Sequence, residues 1–427
     1  MDQSIEGKAF VKGSFVDCCI GVTDGKISDI KRILKSDCHI NFGKKLIIPA
    51  GIDAHVHFRD PGMTHKEDFQ TGSLAAAFGG ISCFFDMPNT IPQTTSVQAL
   101  SDKIISASKK SYVDFGIYAG VDDSNIDDID ILSKHCSGFK IFLGGSTNAP
   151  RININNLKDI LKIISLTKKR VFFHAEDHDI LSKYGSIENN ILEHLKNRPS
   201  SCEESAIKKI IQASYGLDIN CHICHLSSIE GLELLKKRPK NITCGVTPHH
   251  SLFSVNNKLR PETFLKVNPP IRSDFDKEAL FNAVQIGLVD IIESDHAPHT
   301  IDEKRKDFGF APSGLPGVET MFPLFLYLAK KEKLSFKRLI NLMCEKPAEL
   351  LGLSKGKIEV GMDADFSVFD INSETKIDSY DLHSKCGWTP FEGFYAIFPS
   401  HVFVRGEKVI EDYEIQVSQG FGKFVED

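Results

Sequence analysis

Long apolar runs are missing from this chain of 427 residues. The longest, near Met321–Ala329, falls far short of the roughly 20 residues that cross a bilayer, so no membrane partner is expected. Met1–Phe10 lacks the apolar core of a secretory signal. A surplus of positive charge is missing too: 51 Lys and Arg against 57 Asp and Glu leave a net charge of -6, which argues against a nucleic-acid surface and for small-molecule partners. The 11 cysteines are odd in number and scattered, unlike the paired framework of a small secreted domain, and a reducing cytoplasm is the expected location. Neither a low-complexity tract nor a repeat of roughly 20 to 50 residues is visible, which excludes a solenoid.

What remains is an ordinary globular composition, 41% hydrophobic and 25% charged. Its length suits one barrel-type domain of roughly 250 residues or more plus a smaller unit. Eight short apolar runs punctuate the middle of the chain: Leu46–Phe58, Ile81–Met87, Tyr112–Val121, Gly138–Leu143, Arg170–Ala175, Ile219–Leu226, Ile242–Thr247 and Val289–Ser294. Stretches with helical apolar spacing lie between and after them, among them Asn156–Lys168, Glu203–Tyr215, Ile229–Lys237, Glu278–Ile286 and Glu319–Lys330. That alternation predicts the α/β class, a (β/α)8 TIM-type barrel over residues 48–353. Phe10–Ile30, Ala364–Asp370 and Val402–Val409 instead alternate apolar and polar residues around turn signals. Neither end could build a core alone, so residues 1–47 and 354–427 are expected to form one small discontinuous β domain.

Catalytic groups of such a barrel sit where the strands end. The first run ends in His55, His57 and Arg59; on a strand, residues two apart share a face, so all three converge. Imidazole suits zinc, and a guanidinium grips a carboxylate by paired hydrogen bonds. An isolated H-x-H is more often incidental, but other runs carry Lys140, His174, His222 with His225, and Asp295 with His299. So much imidazole and carboxylate on one rim reads as a metal site. Alternation alone leaves the choice between His222 and His225 open. Lys140 is the odd member, because an ammonium repels a metal; it is either an ion-pair partner or a neutral amine that takes up carbon dioxide as a carbamate. Cys221-His222-Ile223-Cys224-His225 matches the pattern of covalent haem attachment, but it lies inside an apolar strand, where cysteines pack as small apolar groups. Gly144-Gly145-Ser146-Thr147 could cradle an anion, although a glycine pair after a strand is more often a turn.

Through His55-Val56-His57-Phe58-Arg59-Asp60-Pro61-Gly62, Asp86-Met87-Pro88-Asn89-Thr90, Lys266-Val267-Asn268-Pro269-Pro270 and Asp295-His296-Ala297-Pro298-His299, the chain resembles the dihydroorotases of the amidohydrolase superfamily. Lys385–Gly393 adds to the likeness. The resemblance implies His55, His57 and Asp295 as ligands of one zinc ion, His174 and His225 as ligands of a second, and Lys140, as its carbamate, between them. One branch of the family has an aspartate in the bridging role; this chain looks like the lysine-bearing branch. Arg59, Asn89 and His299 align with residues that hold the substrate carboxylate, and Asn268 with the Ser313–Gly314 backbone aligns with contacts to the pyrimidine ring. The implied reaction is the reversible closure of N-carbamoyl-L-aspartate to L-dihydroorotate in pyrimidine biosynthesis, with Asp295 as general base and acid, in a homodimer.

A hydantoinase, dihydropyrimidinase or allantoinase would share the barrel and metals, yet its uncharged substrate would leave Arg59 buried without an anion. A non-catalytic scaffold would show degenerate ligands, and every expected ligand is present. The charge-rich loop Thr300–Pro312 is a candidate lid.

Overall fold

The computed structural model describes residues 1–145, 147–185 and 187–425. Eight parallel strands form the barrel: β1 (Gly51–Val56), β2 (Ile81–Asp86), β3 (Asp114–Gly120), β4 (Gly138–Phe142), β5 (Val171–His174), β6 (Cys221–Ile223), β7 (Ile242–Val246) and β8 (Ile291–Ile292). Each predicted run contains one of them. They pair in sequence order, and the ring closes where Val56 bridges His296 in parallel. At that seam the His57 N–H donates to the His296 carbonyl at 2.8 Å, and Asp53 Oδ1 accepts the Ser294 N–H at 3.1 Å.

The first predicted run needs correction. Leu46–Phe58 is not one strand but parts of two in different sheets. Cys38–Pro49 pairs with Phe366–Phe369 in the sheet made from the chain ends, whereas Gly51 begins the barrel. The turn is fixed by Ala50, whose N–H donates to the Asp365 carbonyl at 3.1 Å. Apolar periodicity could not show this break because both strands are buried there.

The second sheet has eight strands, running Glu414–Ile415, Glu407–Glu411, His401–Val404, Phe366–Phe369, Cys38–Pro49, Gln3–Val11, Ser14–Thr23 and Lys26–Lys31 from edge to edge. Ile5, Ile20, Ile47, Phe366, Val368 and Phe403 form its core. Lys355 fastens it to the barrel, meeting Asp363 and Asp365 at 3.1 and 2.7 Å and Asp114 of β3 at 2.8 Å.

Helices pack outside the barrel. Asp274–Ile286 begins four residues before its predicted start because Ser273 and Asp276 form a reciprocal cap. Val318–Lys330 carries the longest apolar run and buries it against the barrel. Among the described residues no helix is long and apolar enough to cross a membrane.

Candidate active site

At the ends of β1 and β8, three ligand atoms form a triangle. His55 Nε2 lies 3.2 Å from His57 Nε2 and 3.2 Å from Asp295 Oδ1, and His57 Nε2 lies 3.1 Å from the same oxygen. All three side chains are buried. Ligands about 2.0–2.1 Å from a zinc ion would stand at such separations, so the triangle fits a cation. Burial, reinforced by nearby Lys140, lowers the His55 pKa to about 4, against the opposing pull of Asp295. Burial, then Arg59 and Lys140, push His57 well below its usual value. Both imidazoles are therefore neutral at neutral pH, the form that coordinates metal. His57 donates from Nδ1 to Asn89 Oδ1 at 2.6 Å, which leaves Nε2 free for the cation.

A second pair lies alongside. His174 Nδ1 faces His225 Nε2 at 3.2 Å. The opposite nitrogen of His174 donates to Glu176 Oε2 at 2.8 Å, and Arg198 holds that carboxylate from the other side. Burial pushes the Glu176 pKa up, but Arg198 and His174 outweigh it and hold the carboxyl far below its usual range. Burial again, then the neighbouring His174, keeps His225 neutral. His225 therefore joins the pair, while His222 in β6 bonds through Nδ1 to Thr243 Oγ1 at 2.9 Å. The chain leaves β6 before His225, which brings His225 and not His222 beside His174.

Lys140 lies on β4, fully buried, with its Nζ 3.2 Å from Cys224 Sγ and no carboxylate at ion-pair distance among the described residues. Its charge adds, behind burial, to the lowering of the His55, His57, His174 and His225 pKa values. An ammonium there opposes metal, whereas a carbamate would supply two oxygens.

Arg59 is buried on the rim of the same small cavity as the triangle. Its Nε donates to the Pro298 carbonyl at 3.2 Å and one terminal nitrogen lies 3.3 Å from His299 Nε2, but no carboxylate comes within ion-pair distance among the described residues. Burial lowers its pKa to about 10, and it remains charged. His299 donates from Nε2 to the Ser313 carbonyl at 3.0 Å and accepts from Lys66 at 3.1 Å. Asn268 also lines the cavity, with its buried Oδ1 unpartnered. Asn89 is already engaged at both ends, since its amide nitrogen donates to the Thr147 carbonyl at 2.8 Å. Gly314 has φ of 137°, and a Cβ there would stand 2.4 Å from the Ala297 carbonyl oxygen; only glycine fits this wall.

Arg59, His225 and Asp295 all have left-handed backbones, with φ of 62°, 41° and 46°. Such conformations cost non-glycine residues of order 1–3 kcal/mol each and cluster where side-chain aim matters more than backbone comfort.

The candidate lid is fastened. Lys304, fully buried, donates to the carbonyls of Lys266, Pro312 and Gly314 at 3.1, 2.9 and 2.9 Å, and Glu303 pairs with Lys66 at 2.9 Å. Sequence reasoning missed both lysines, which look like solvated charge. After β4 the carbonyl of Gly145 accepts from Arg198 at 3.0 Å; Ser146 lies outside the described residues. Glu176 and Glu293 were also missed as functional groups, although each is an acid at a strand end two residues from a metal-type side chain.

Barrel, buried imidazole clusters and rim carboxylate define a metal-dependent hydrolase of the amidohydrolase class. The chain belongs to the amidohydrolase family, which it matches over residues 46–409. Among its relatives are the dihydroorotase of Methanosarcina acetivorans, 39% identical over 425 residues (95% of this chain and 91% of that one), and the dihydroorotase of Thermoplasma acidophilum, 40% identical over 426 residues (100% and 98%). The L-hydantoinase (dihydropyrimidinase) of Arthrobacter aurescens superimposes with a TM-score of 0.94 at 28% identity, covering 99% of both chains. The dihydropyrimidinase of Brevibacillus agri is alike in fold, with a TM-score of 0.92 at 23% identity, covering 100% of this chain and 98% of that one.

Proposed function

We propose that the protein is a dihydroorotase that interconverts N-carbamoyl-L-aspartate and L-dihydroorotate, with His55, His57, Asp295, His174, His225 and carboxylated Lys140 holding two zinc ions. The observation that carries the substrate assignment is Arg59, a buried guanidinium without a carboxylate partner among the described residues, on the cavity that the triangle also lines. A ring that brings its own carboxylate supplies the missing anion, whereas dihydrouracil or hydantoin would leave the guanidinium buried and unpaired. The relatives named dihydroorotases, alike over nearly the whole chain, support the same reading.

When bound, the metal pair would make water acidic enough to react near neutral pH and polarise the ring amide carbonyl. The protein's own groups do the rest. Arg59, with His299 beside it, holds the side carboxylate and so presents one face of the ring to Asp295. Asn268 offers its unpartnered oxygen to a ring N–H. Asp295 receives the proton of the water that adds to the amide carbon and delivers it to the departing ring nitrogen; in ring closure the proton travels the opposite way.

A steady-state comparison of dihydroorotate, dihydrouracil, hydantoin and allantoin, with metal analysis of the same preparation, tests the assignment. Dihydroorotate is expected to be preferred by at least about 10³-fold in kcat/KM. Preference for an uncharged ring would transfer the protein to the hydantoinase reading. Lys140→Ala is expected to leave the barrel folded and to deplete the metal held by His174 and His225. Native mass spectrometry checks this, since two bound metals with full activity would remove Lys140 from the site.

A further inference from the structure

Glu293 lies just beyond β8, fully buried, two residues before Asp295. Its Oε1 accepts the backbone N–H of His225 at 2.6 Å, fixing one of the three left-handed residues of the site. Its Oε2 lies 3.5 Å from His55 Nδ1 and 3.7 Å from His222 Nε2. None of these last three buried atoms has a hydrogen-bond partner. The carboxylate has been given room. A Cβ at Gly245 of β7 would stand 2.5 Å from Oε1, so this strand could not carry a larger residue with Glu293 in place.

A histidine that coordinates through Nε2 must carry its proton on Nδ1, and a carboxylate beside Nδ1 favours that tautomer. His55 turns Nε2 toward the triangle, and Glu293 Oε2 stands beside its Nδ1. His225 belongs to the other pair. One carboxylate therefore touches a proposed ligand of each cation. We propose that Glu293 is a positioning residue for both metals, setting the tautomer of His55 through one oxygen and the backbone of His225 through the other. His55, Cys224 and Glu293 also approach one another closely enough to hold a cation themselves. For that, His55 would have to surrender both ring protons and bridge two ions, so an orienting role fits the geometry better.

The inference rests on the proposed ligands, and its test separates the two. Glu293→Gln keeps shape and volume but places an NH2 beside either His55 Nδ1 or the His225 N–H. The first arrangement drives the His55 proton onto Nε2, and the second breaks the His225 bond. Chelator-stripped wild-type and variant protein would be titrated with cobalt(II), following visible absorption against a competing chelator. Affinity is expected to fall about 10- to 100-fold at the site whose ligand the NH2 faces, and at both sites in Glu293→Ala, which removes both acceptors. Wild-type affinity in Glu293→Gln, or weakening at one site alone in Glu293→Ala, overturns the proposal. Failure of the wild-type protein to bind cobalt would remove the ligand assignment itself, and this inference with it. Should the variant not fold, nitrogen-15 spectra of metal-free wild-type protein give an independent reading. They are expected to show the His55 proton on Nδ1, and its residence on Nε2 would overturn the proposal.

Discussion

Asp295→Ala is expected to lower kcat with dihydroorotate by about 10³-fold or more, since general acid–base catalysis contributes roughly 10²- to 10⁴-fold and one metal ligand is lost as well. The two losses can be separated. Asp295→Asn retains an oxygen for the cation but cannot accept a proton, so it is expected to keep much of the metal and still lose turnover. In the metal-free protein burial raises the Asp295 pKa, while His55 and Lys140 pull it down, leaving the carboxylate more basic than an exposed one. Measured kcat together with metal content decides the matter. Wild-type kcat in either variant would end the proton-transfer role.

Arg59→Leu is expected to reduce kcat/KM for dihydroorotate by about 10³-fold, because the substrate carboxylate would enter a buried site with its charged partner removed. Metal content is expected to stay intact, as the Arg59 side chain is turned away from the triangle, toward the Pro298 carbonyl and His299. The loss should be selective. Turnover of dihydrouracil, which has no carboxylate, is expected to change little or to rise. An equal fall for both substrates would point to a collapsed pocket in place of a lost anion contact.

Much of this site was legible from residue order because β-strand periodicity is rigid. His55, His57 and Arg59 alternate, and the structure gathers the first two with Asp295 and places the third on the same cavity. His174 and His225 were similarly visible as strand-end imidazoles. Less visible were features that depend on contacts between distant segments. The run Leu46–Phe58 hides a change of sheet at Ala50, because burial in either sheet demands the same apolar residues. Lys304 belongs to a charge-rich stretch, and its sequence neighbours do not reveal the three carbonyls around it. Asn89 reads as a substrate contact by position, yet its oxygen is occupied in orienting His57. Glu293 stands beside the obvious Asp295; only the fold shows it reaching His225, whose backbone belongs to another strand end.

The seam between β1 and β8 also bears on how the protein is made. His57 and Asp295 meet across it although 238 positions separate them in the chain. A ribosome adding roughly 5–20 residues per second needs on the order of 10 s or more to travel that far, and in this interval the emerging chain has histidines but no completed site. The triangle of His55, His57 and Asp295 is thus completed only when the last barrel strand arrives. An unfinished chain released early would carry both imidazole corners of that triangle without its carboxylate.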